Sequence, residues 1–473
     1  MKLGQTSFVH LISKYTASVL GFLTYVYLAR ELGAEVLGIY FLLMAVLAWF
    51  RLAGTVGIET AIAKRLSEGK QRNEFLTAGL IMYLVIFIIL SGSILISRSW
   101  LNDYLRGEIA YLLVPLILVA VAMAFVNASL KGQHKVHLAS LLSPIDRVLR
   151  ATLQIGLVLL GFELIGLVLG YISAMFVAAV VGLYYVSYRI TIPDINHFKS
   201  LGSYAKYSWL TRLEGRAFSS ADTIVLGFFV SSSLIGIYEI AWNVAAFLGI
   251  FSGSLVQTLF PEMSKISSEE ETEEVRNLVN KALSYAGLFL IPGFVGAVLI
   301  GSEIMAIYSS EFRQGYTVLV ILVGANLVFG YKKQMTNVLN AIDRPDKAFR
   351  ISLVFLITNL SLNVGLVYAY DWIGAAVATF VASVIALAMG YRELGKLMDI
   401  PLPVLEIGKQ VISAFMMGGV IIGVDAVIHV TVPIAIVLVI AGASIYFSLY
   451  LAISPSFRNT VKRNLPVSLP FSA

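Results

Sequence analysis

The feature that most limits how this chain can fold is its succession of long apolar runs. About fourteen stretches of roughly 20 apolar residues follow one another along the 473 residues. They lie near 8–28, 36–58, 76–97, 109–130, 143–161, 164–187, 205–230, 233–260, 279–300, 315–340, 349–369, 372–391, 405–426 and 430–452. As a helix, each is long enough to cross a bilayer core of roughly 30 Å. The chain is therefore predicted to be an all-α polytopic membrane protein with about fourteen transmembrane helices.

Composition supports that class and argues against others. Hydrophobic residues make up 58% of the chain and charged residues 13%, whereas a soluble protein carries about 25% charged residues. The net charge of +6 does not indicate a nucleic-acid partner, because the positive residues lie in short loops between apolar runs. The chain has no cysteine, which excludes disulfides and cysteine-ligated metals.

The positive loop residues predict an orientation. Alternate loops collect most of the lysines and arginines, and the opposite loops hold only Arg30, Arg98, Arg106 and Arg313. Because positive loops remain inside, both termini are predicted to be cytoplasmic, in a multi-pass protein of the cell (plasma or inner) membrane.

The chain also repeats itself at an offset near 200 residues. The motif at 37–40 recurs at 235–238, and the segment 130–135 corresponds to 339–344. Six runs separate the copies, so the repeats are parallel, and parallel repeats build transporters whose substrate site lies between the halves. The predicted organisation is a lobe at 1–190, a second six-helix lobe at 200–397, two further helices at 404–452 and a cytoplasmic tail at 453–473.

Several short motifs resemble a known family. They are residues 28–33 followed by Gly38-Ile39-Tyr40, residues 221–227 followed by Gly236-Ile237-Tyr238, and the segments 259–264, 339–341, 359–363 and 374–376. The chain resembles the Wzx-like polysaccharide and oligosaccharide flippases of the multidrug/oligosaccharidyl-lipid/polysaccharide exporter superfamily. These motifs are turns and packing glycines that identify a fold better than a substrate.

The resemblance implies two six-helix lobes around a central cavity, alternating access, and movement of a lipid-linked glycan from the cytoplasmic to the outer leaflet. The implied partner is a polyprenyl-phosphate- or diphosphate-linked glycan, with membrane lipids around a monomer. A drug or cation antiporter of the same superfamily and a lipid II flippase remain alternatives. A polytopic lipid-dependent glycosyltransferase is a third, but short outward loops with few charges argue against an enzyme.

Six cations inside the apolar runs are the candidate substrate-binding residues. A Lys or Arg at a helix centre costs roughly 2.5–3.5 kcal/mol on insertion scales, so such residues usually meet an anion in a polar cavity. By residue count, all six lie roughly 9–17 Å from the inner boundary, where a cytoplasmically made phosphate would enter. They are Lys14, Arg51, Arg212, Arg216, Lys332 and Lys333.

The spacing of these cations along the sequence indicates which of them can face the same path. Arg212, Arg216, Ser219 and Thr223 form one helical stripe, and arginine forks suit phosphate oxygens. Lys332 and Lys333 are adjacent and point roughly 100° apart, so both cannot face one narrow path. The alternative for every one of them is snorkelling towards headgroups or cytoplasmic water.

Two acids inside the runs, Asp222 and Glu239, are the candidates for coupling transport to H⁺ or Na⁺. Asp222 could instead pair with a neighbouring helix. Asp146, Arg147 and Arg150 are interpreted as an ion cluster at a helix start. No metal site and no further cofactor are predicted.

Overall fold

The computed structural model describes residues 3–55, 57–268, 272–400, 402–428 and 430–464, and in these segments the chain is helical with no strand. The helices are α1 (Leu3–Thr55), α2 (Ile58–Ser67), α3 (Arg72–Ile96), α4 (Arg98–Leu105), α5 (Leu113–Gly132), α6 (Val136–Leu159), α7 (Glu163–Tyr184), α8 (Ile195–Phe229), α9 (Ser232–Ser268), α10 (Thr272–Ala286), α11 (Leu290–Ala306), α12 (Tyr316–Ala341), α13 (Pro345–Gly395), α14 (Val404–Val427), α15 (Val432–Ile453) and α16 (Pro455–Asn464). Thirteen of the fourteen predicted runs each fall mainly on one of these helices, and the run at 279–300 is divided between α10 and α11.

Two helices contain a break that separates two predicted runs. In α1 the backbone leaves the helical region at Gly33, where φ is 74° and ψ is 176°, a conformation that glycine adopts without a Cβ clash. In α13 the break falls at Tyr370 and Asp371. The Asp371 carboxylate accepts a hydrogen bond from the Trp372 backbone N–H at 3.1 Å, which caps the second half of α13.

Within the described segments, ten helical stretches are long and apolar enough to cross a membrane. The helices α6 and α8 are not among them, because each carries several charged residues near its centre. These are also the two most polar of the predicted runs. Their polarity places α6 and α8 among the elements that can line a sheltered path.

The chain divides into two compact units, which we call the central unit, Leu23–Gly236, and the terminal unit, Met1–Phe22 with Ile237–Ala473. The central unit includes α8, because α8 packs against α2 and α3. The lobe boundaries taken from the sequence repeat, 1–190 and 200–397, stay a prediction.

The central unit is joined internally by buried hydrogen bonds between helices. Gln154 of α6 donates through its Nε2 to the Tyr40 hydroxyl of α1 at 3.0 Å and to the Leu167 carbonyl of α7 at 2.8 Å. A buried amide with two such acceptors fixes the spacing of three helices, because each buried polar group needs its partner.

In the terminal unit, α14 and α15 pack on α11 around an apolar cluster that includes Tyr285, Met417 and Tyr446. Gln410 of α14 donates to the Ser284 carbonyl of α10 at 2.6 Å. The two halves of α13 are joined by a buried bond of 2.9 Å from Asn359 Nδ2 to Thr379 Oγ1. The last two predicted spans therefore belong to the same compact unit as α10–α13 and the part of α9 from Ile237 onwards.

Candidate functional site: an arginine cluster in the central unit

Two of the predicted substrate-binding arginines come together in the central unit. Arg51 of α1 and Arg216 of α8 are half-buried and lie close enough for their positive charges to interact. Their helices meet nearby, where the Trp49 indole N–H donates to the Ser220 carbonyl at 3.5 Å and the Ser220 hydroxyl donates to the Arg216 carbonyl at 3.0 Å. The α1–α8 packing therefore holds two like charges near one another, an arrangement that an anion would relieve.

Arg216 keeps hydrogen-bonding capacity that nearby protein groups do not use. Its Nε is buried and has no hydrogen-bond partner among the described side chains. A buried donor without an acceptor costs about 1–3 kcal/mol, and more when it is charged. An incoming phosphate oxygen is a suitable acceptor for this N–H, because guanidinium and phosphate groups match in charge and in donor geometry.

A third arginine, Arg150 of α6, extends this cluster. Its guanidinium forms a salt bridge with Asp146 one turn earlier and lies 3.8 Å from the centroid of the Tyr171 ring on α7. Tyr171 in turn lies within electrostatic range of Arg216. Arg150 is therefore part of the same neighbourhood, and we call Arg51, Arg150 and Arg216 the arginine cluster.

The helix-start interpretation of Asp146 and Arg150 is wrong. Helix α6 begins at Val136, so the pair lies well inside the helix, where it cannot interact with the helix N-terminus. Asp146 is only 8% exposed, and its Oδ1 has no hydrogen-bond partner among the described groups. The neighbouring Arg147 is exposed and does not share this environment.

The charged groups of this region include both signs. The arginine cluster carries three positive charges, and the acids on α6 and α8 are Asp146, which pairs with Arg150, the half-buried Glu214 and the buried Asp222. Glu59 of α2 forms a salt bridge with Lys131 of α5 at 2.9 Å. An anion bound beside Arg51 and Arg216 would interact strongly with them, because solvent screening is weak among half-buried groups.

The two lysines of α12 belong to the terminal unit and have different surroundings. Lys332 is 1% exposed, and its Nζ lies 5.1 Å from the Phe329 ring centroid and 5.8 Å from that of Phe355. Lys333 is exposed on the adjacent face of the helix. Of the pair, Lys333 is thus the one that a ligand can reach. The side chains of Lys14 and Arg212 lie outside the described residues.

The two predicted coupling acids fall in different units. Asp222 of α8 is 3% exposed in the central unit, and Glu239 of α9 is half-buried in the terminal unit. Their coupling role stays a prediction. Within the described parts of the chain, no group of three or more His, Cys, Asp or Glu lies together in the manner of a metal site.

Comparison with known proteins assigns the chain to a family. A family model described as "Polysaccharide biosynthesis protein" matches residues 3–267. The "Probable flippase AglR" of Haloferax volcanii is 32% identical over 99% of this chain and 99% of its own length. The chain belongs to the polysaccharide biosynthesis protein family. A second relative, the "Probable low-salt glycan biosynthesis flippase Agl15" of the same organism, is 30% identical over 98% of this chain and 99% of its own length.

Two solved structures share the fold of this polysaccharide biosynthesis protein. The lipid II flippase MurJ in an inward closed conformation matches with a TM-score of 0.78 at 18% identity, over 95% of this chain and 99% of that one. An inward-facing multidrug resistance MATE transporter matches with a TM-score of 0.63 at 16% identity, over 80% of this chain and 95% of that one. The all-α polytopic membrane fold and the family resemblance are therefore confirmed.

Sequence reasoning missed Arg150 as part of the site of this polysaccharide biosynthesis protein. One signal was present: Asp146 and Arg150 are four residues apart within a long helical run, so they share one face. That spacing does not show what the face packs against. The contact with Tyr171, which brings Arg150 towards Arg216, depends on the α6–α7 packing and is visible only in the structure.

Proposed function

We propose that this polysaccharide biosynthesis protein is a flippase that moves a glycan linked to polyprenyl phosphate or diphosphate from the cytoplasmic leaflet to the outer leaflet by alternating access. The observation that carries the proposal is the arginine cluster on three helices of one unit. The relatives named as flippases support it.

The arginine cluster supplies what the charged head of such a lipid needs. A phosphate or diphosphate loses its hydration when it enters a bilayer, and the cost falls only if cations and donors replace the water. Arg51 and Arg216 approach from two helices, so two guanidinium forks can share one anion, and Arg150 lies next to them across Tyr171.

The sign of this charge also separates the proposal from its closest alternative. A transporter that exports organic cations needs acidic groups along its path, because like charges repel a cationic substrate. The arginine cluster has the opposite sign. In the terminal unit, the exposed Lys333 would be available to an anion, whereas the buried Lys332 would contribute to packing.

The other parts of the proposal follow from the sequence. Both termini would lie in the cytoplasm, the protein would work as a monomer in the cell membrane, and H⁺ or Na⁺ would drive transport through Asp222 or Glu239. The protein would catalyse no covalent reaction, since its task is to move an intact lipid.

The proposal is tested in cells that depend on this protein for a surface glycan. Arg51→Ala and Arg216→Ala should each abolish the glycan while membrane abundance stays at the wild-type level. Arg147→Ala is the matched control, because it removes an exposed arginine from α6 of the same unit, and it should leave the glycan intact. Full glycan in both cluster variants would overturn the proposal.

A further inference from the structure

Besides the arginine cluster, the central unit contains an apolar cavity of about 330 Å³ between α1, α4 and α8. Five of the eight residues that line it are aromatic, and the other three are aliphatic. They are Val46, Trp49, Phe50, Trp100, Leu101, Tyr104, Ile224 and Phe228. We call this feature the aromatic cavity.

The polar atoms of two lining side chains are already engaged with backbone. The Tyr104 hydroxyl donates to the Ile224 carbonyl at 2.7 Å, and the Trp49 indole N–H donates to the Ser220 carbonyl at 3.5 Å. These bonds leave ring faces as the surface of the cavity. A bare sugar would find few partners for its hydroxyls here, whereas a hydrocarbon chain needs none.

The mouth of the aromatic cavity is formed by two exposed rings. Trp100 and Phe228 are each 57% exposed, and their ring centroids lie 6.3 Å apart. Tyr104 supports both: it stacks parallel to Trp100 at 5.6 Å and lies 4.6 Å from Phe228. Two large rings held in place at an open edge provide a contact surface for a chain that enters from the side.

The aromatic cavity and the arginine cluster share two helices, α1 and α8. Phe50 directly precedes Arg51 on α1, and Ile224 and Phe228 follow Arg216 on α8. At 1.5 Å per residue, these two positions lie about 12 and 18 Å beyond Arg216 along the helix axis. A molecule with a phosphate at the arginines and an apolar chain attached to it would span this distance.

We propose that the aromatic cavity binds the first isoprenoid units of the lipid carrier while its phosphate is held by Arg51 and Arg216. This inference rests on the proposed function, and it adds a second contact for the same molecule. The chain bound here is the one attached to the phosphate, because only that chain begins next to the cluster. When the isoprenoid chain is held in the aromatic cavity, the phosphate stays close to the arginines during translocation.

The test measures binding to the full-length protein in phosphatidylcholine nanodiscs with two probes. Farnesyl phosphate carries both the head and an isoprenoid chain, and isopentenyl phosphate has the same head but a chain too short to reach the cavity. The double variant Trp100→Ala/Phe228→Ala should weaken the binding of farnesyl phosphate about tenfold or more. The affinity for isopentenyl phosphate should stay unchanged. Phe176→Ala, which removes an exposed ring on α7 outside the cavity, is the control and should change neither.

A second variant keeps the test decisive if the double variant is poorly folded. Ile224→Trp fills the aromatic cavity instead of enlarging it. It should also weaken the binding of farnesyl phosphate and leave the binding of isopentenyl phosphate unchanged. Unchanged farnesyl phosphate affinity in folded protein would mean that bulk lipid occupies the cavity, and this would overturn the inference. Equal weakening of the binding of both probes would overturn it too.

The arginine variants separate this inference from the function on which it rests. If Arg51→Ala/Arg216→Ala weakens the binding of both phosphate probes, the arginines bind the phosphate. The cavity variants then test only whether the aromatic cavity binds the chain. If the arginine variant binds both probes normally while the cavity variants lose farnesyl phosphate, the phosphate role fails and the chain site stands.

Discussion

Gly38 of α1 and Gly236 of α9 lie in backbone contact: a Cβ atom on Gly38 would fall 3.0 Å from the Gly236 nitrogen and 1.7 Å from the Ser232 carbonyl oxygen. A Cβ atom on Gly236 would lie 2.1 Å from the Ala34 carbonyl oxygen. These glycines are the equivalent positions of the motif that the sequence repeats, and the two glycines pack directly against each other within the central unit.

We expect Gly38→Ala to destabilise the protein, because backbone atoms cannot move aside as a flexible side chain can. Overpacking a close contact costs about 1–3 kcal/mol, so the Tm in detergent should fall by several degrees. Gly156→Ala on α6 is the control, since a Cβ there meets nothing within 4 Å, and it should be neutral or gain about 0.5–1 kcal/mol. Equal Tm values for the two variants would contradict the packing described.

Variants of the Asp146–Arg150 salt bridge should affect stability and transport differently. Arg150→Ala leaves Asp146 buried without its partner, which should cost about 1–3 kcal/mol and lower the Tm. The double variant Asp146→Ala/Arg150→Ala should recover most of that Tm, because no charge is left unpaired, yet it should remain deficient in surface glycan. Recovery of the glycan along with the Tm would show that Arg150 has only a structural role.

The two lysines of α12 should respond in opposite ways to replacement by alanine. Lys332→Ala removes a fully buried side chain whose ammonium group lies near the rings of Phe329 and Phe355, so it should lower the Tm measurably. Lys333→Ala removes an exposed charge, so the Tm should stay within experimental error while glycan export falls. A lower Tm for Lys333→Ala with normal export would reverse the assignment.

Asp222→Asn tests the coupling prediction. The amide keeps the shape of the buried side chain but can neither bind a proton nor offer a charged oxygen to Na⁺. In proteoliposomes, transport by this variant should no longer respond to an imposed H⁺ or Na⁺ gradient. The exposed Glu163→Gln is the control and should respond as the wild type does. A normal response of Asp222→Asn would leave the aspartate a structural role only.

The sequence was sufficient for the helices because membrane spans are recognised by length and apolarity, which are local properties. The break at Gly33 also falls between two predicted runs, as does the break at Tyr370 and Asp371. The orientation of each helix about its own axis is not local, since it depends on which neighbour it packs against. This is why the Arg150 contact with Tyr171 could not be predicted.

The aromatic cavity shows the same limit more strongly. Its lining comes from three helices that are distant in sequence, and aromatic residues are common at membrane interfaces for reasons unrelated to ligands. Nothing in the spacing of Trp49, Trp100 and Phe228 indicates that they share one space. The grouping of Arg51 with Arg216 was easier to anticipate, because buried charges are costly and therefore tend to be used together.

The central claim is that the arginine cluster carries a lipid phosphate across the bilayer. Proteoliposomes containing a nitrobenzoxadiazole-labelled polyprenyl diphosphate sugar test it directly, with external dithionite reporting which leaflet holds the label. Wild type and Arg147→Ala should move the label between leaflets at similar rates, and Arg51→Ala/Arg216→Ala should slow the movement about tenfold or more. Equal rates for the cluster variant and the wild type would contradict the account.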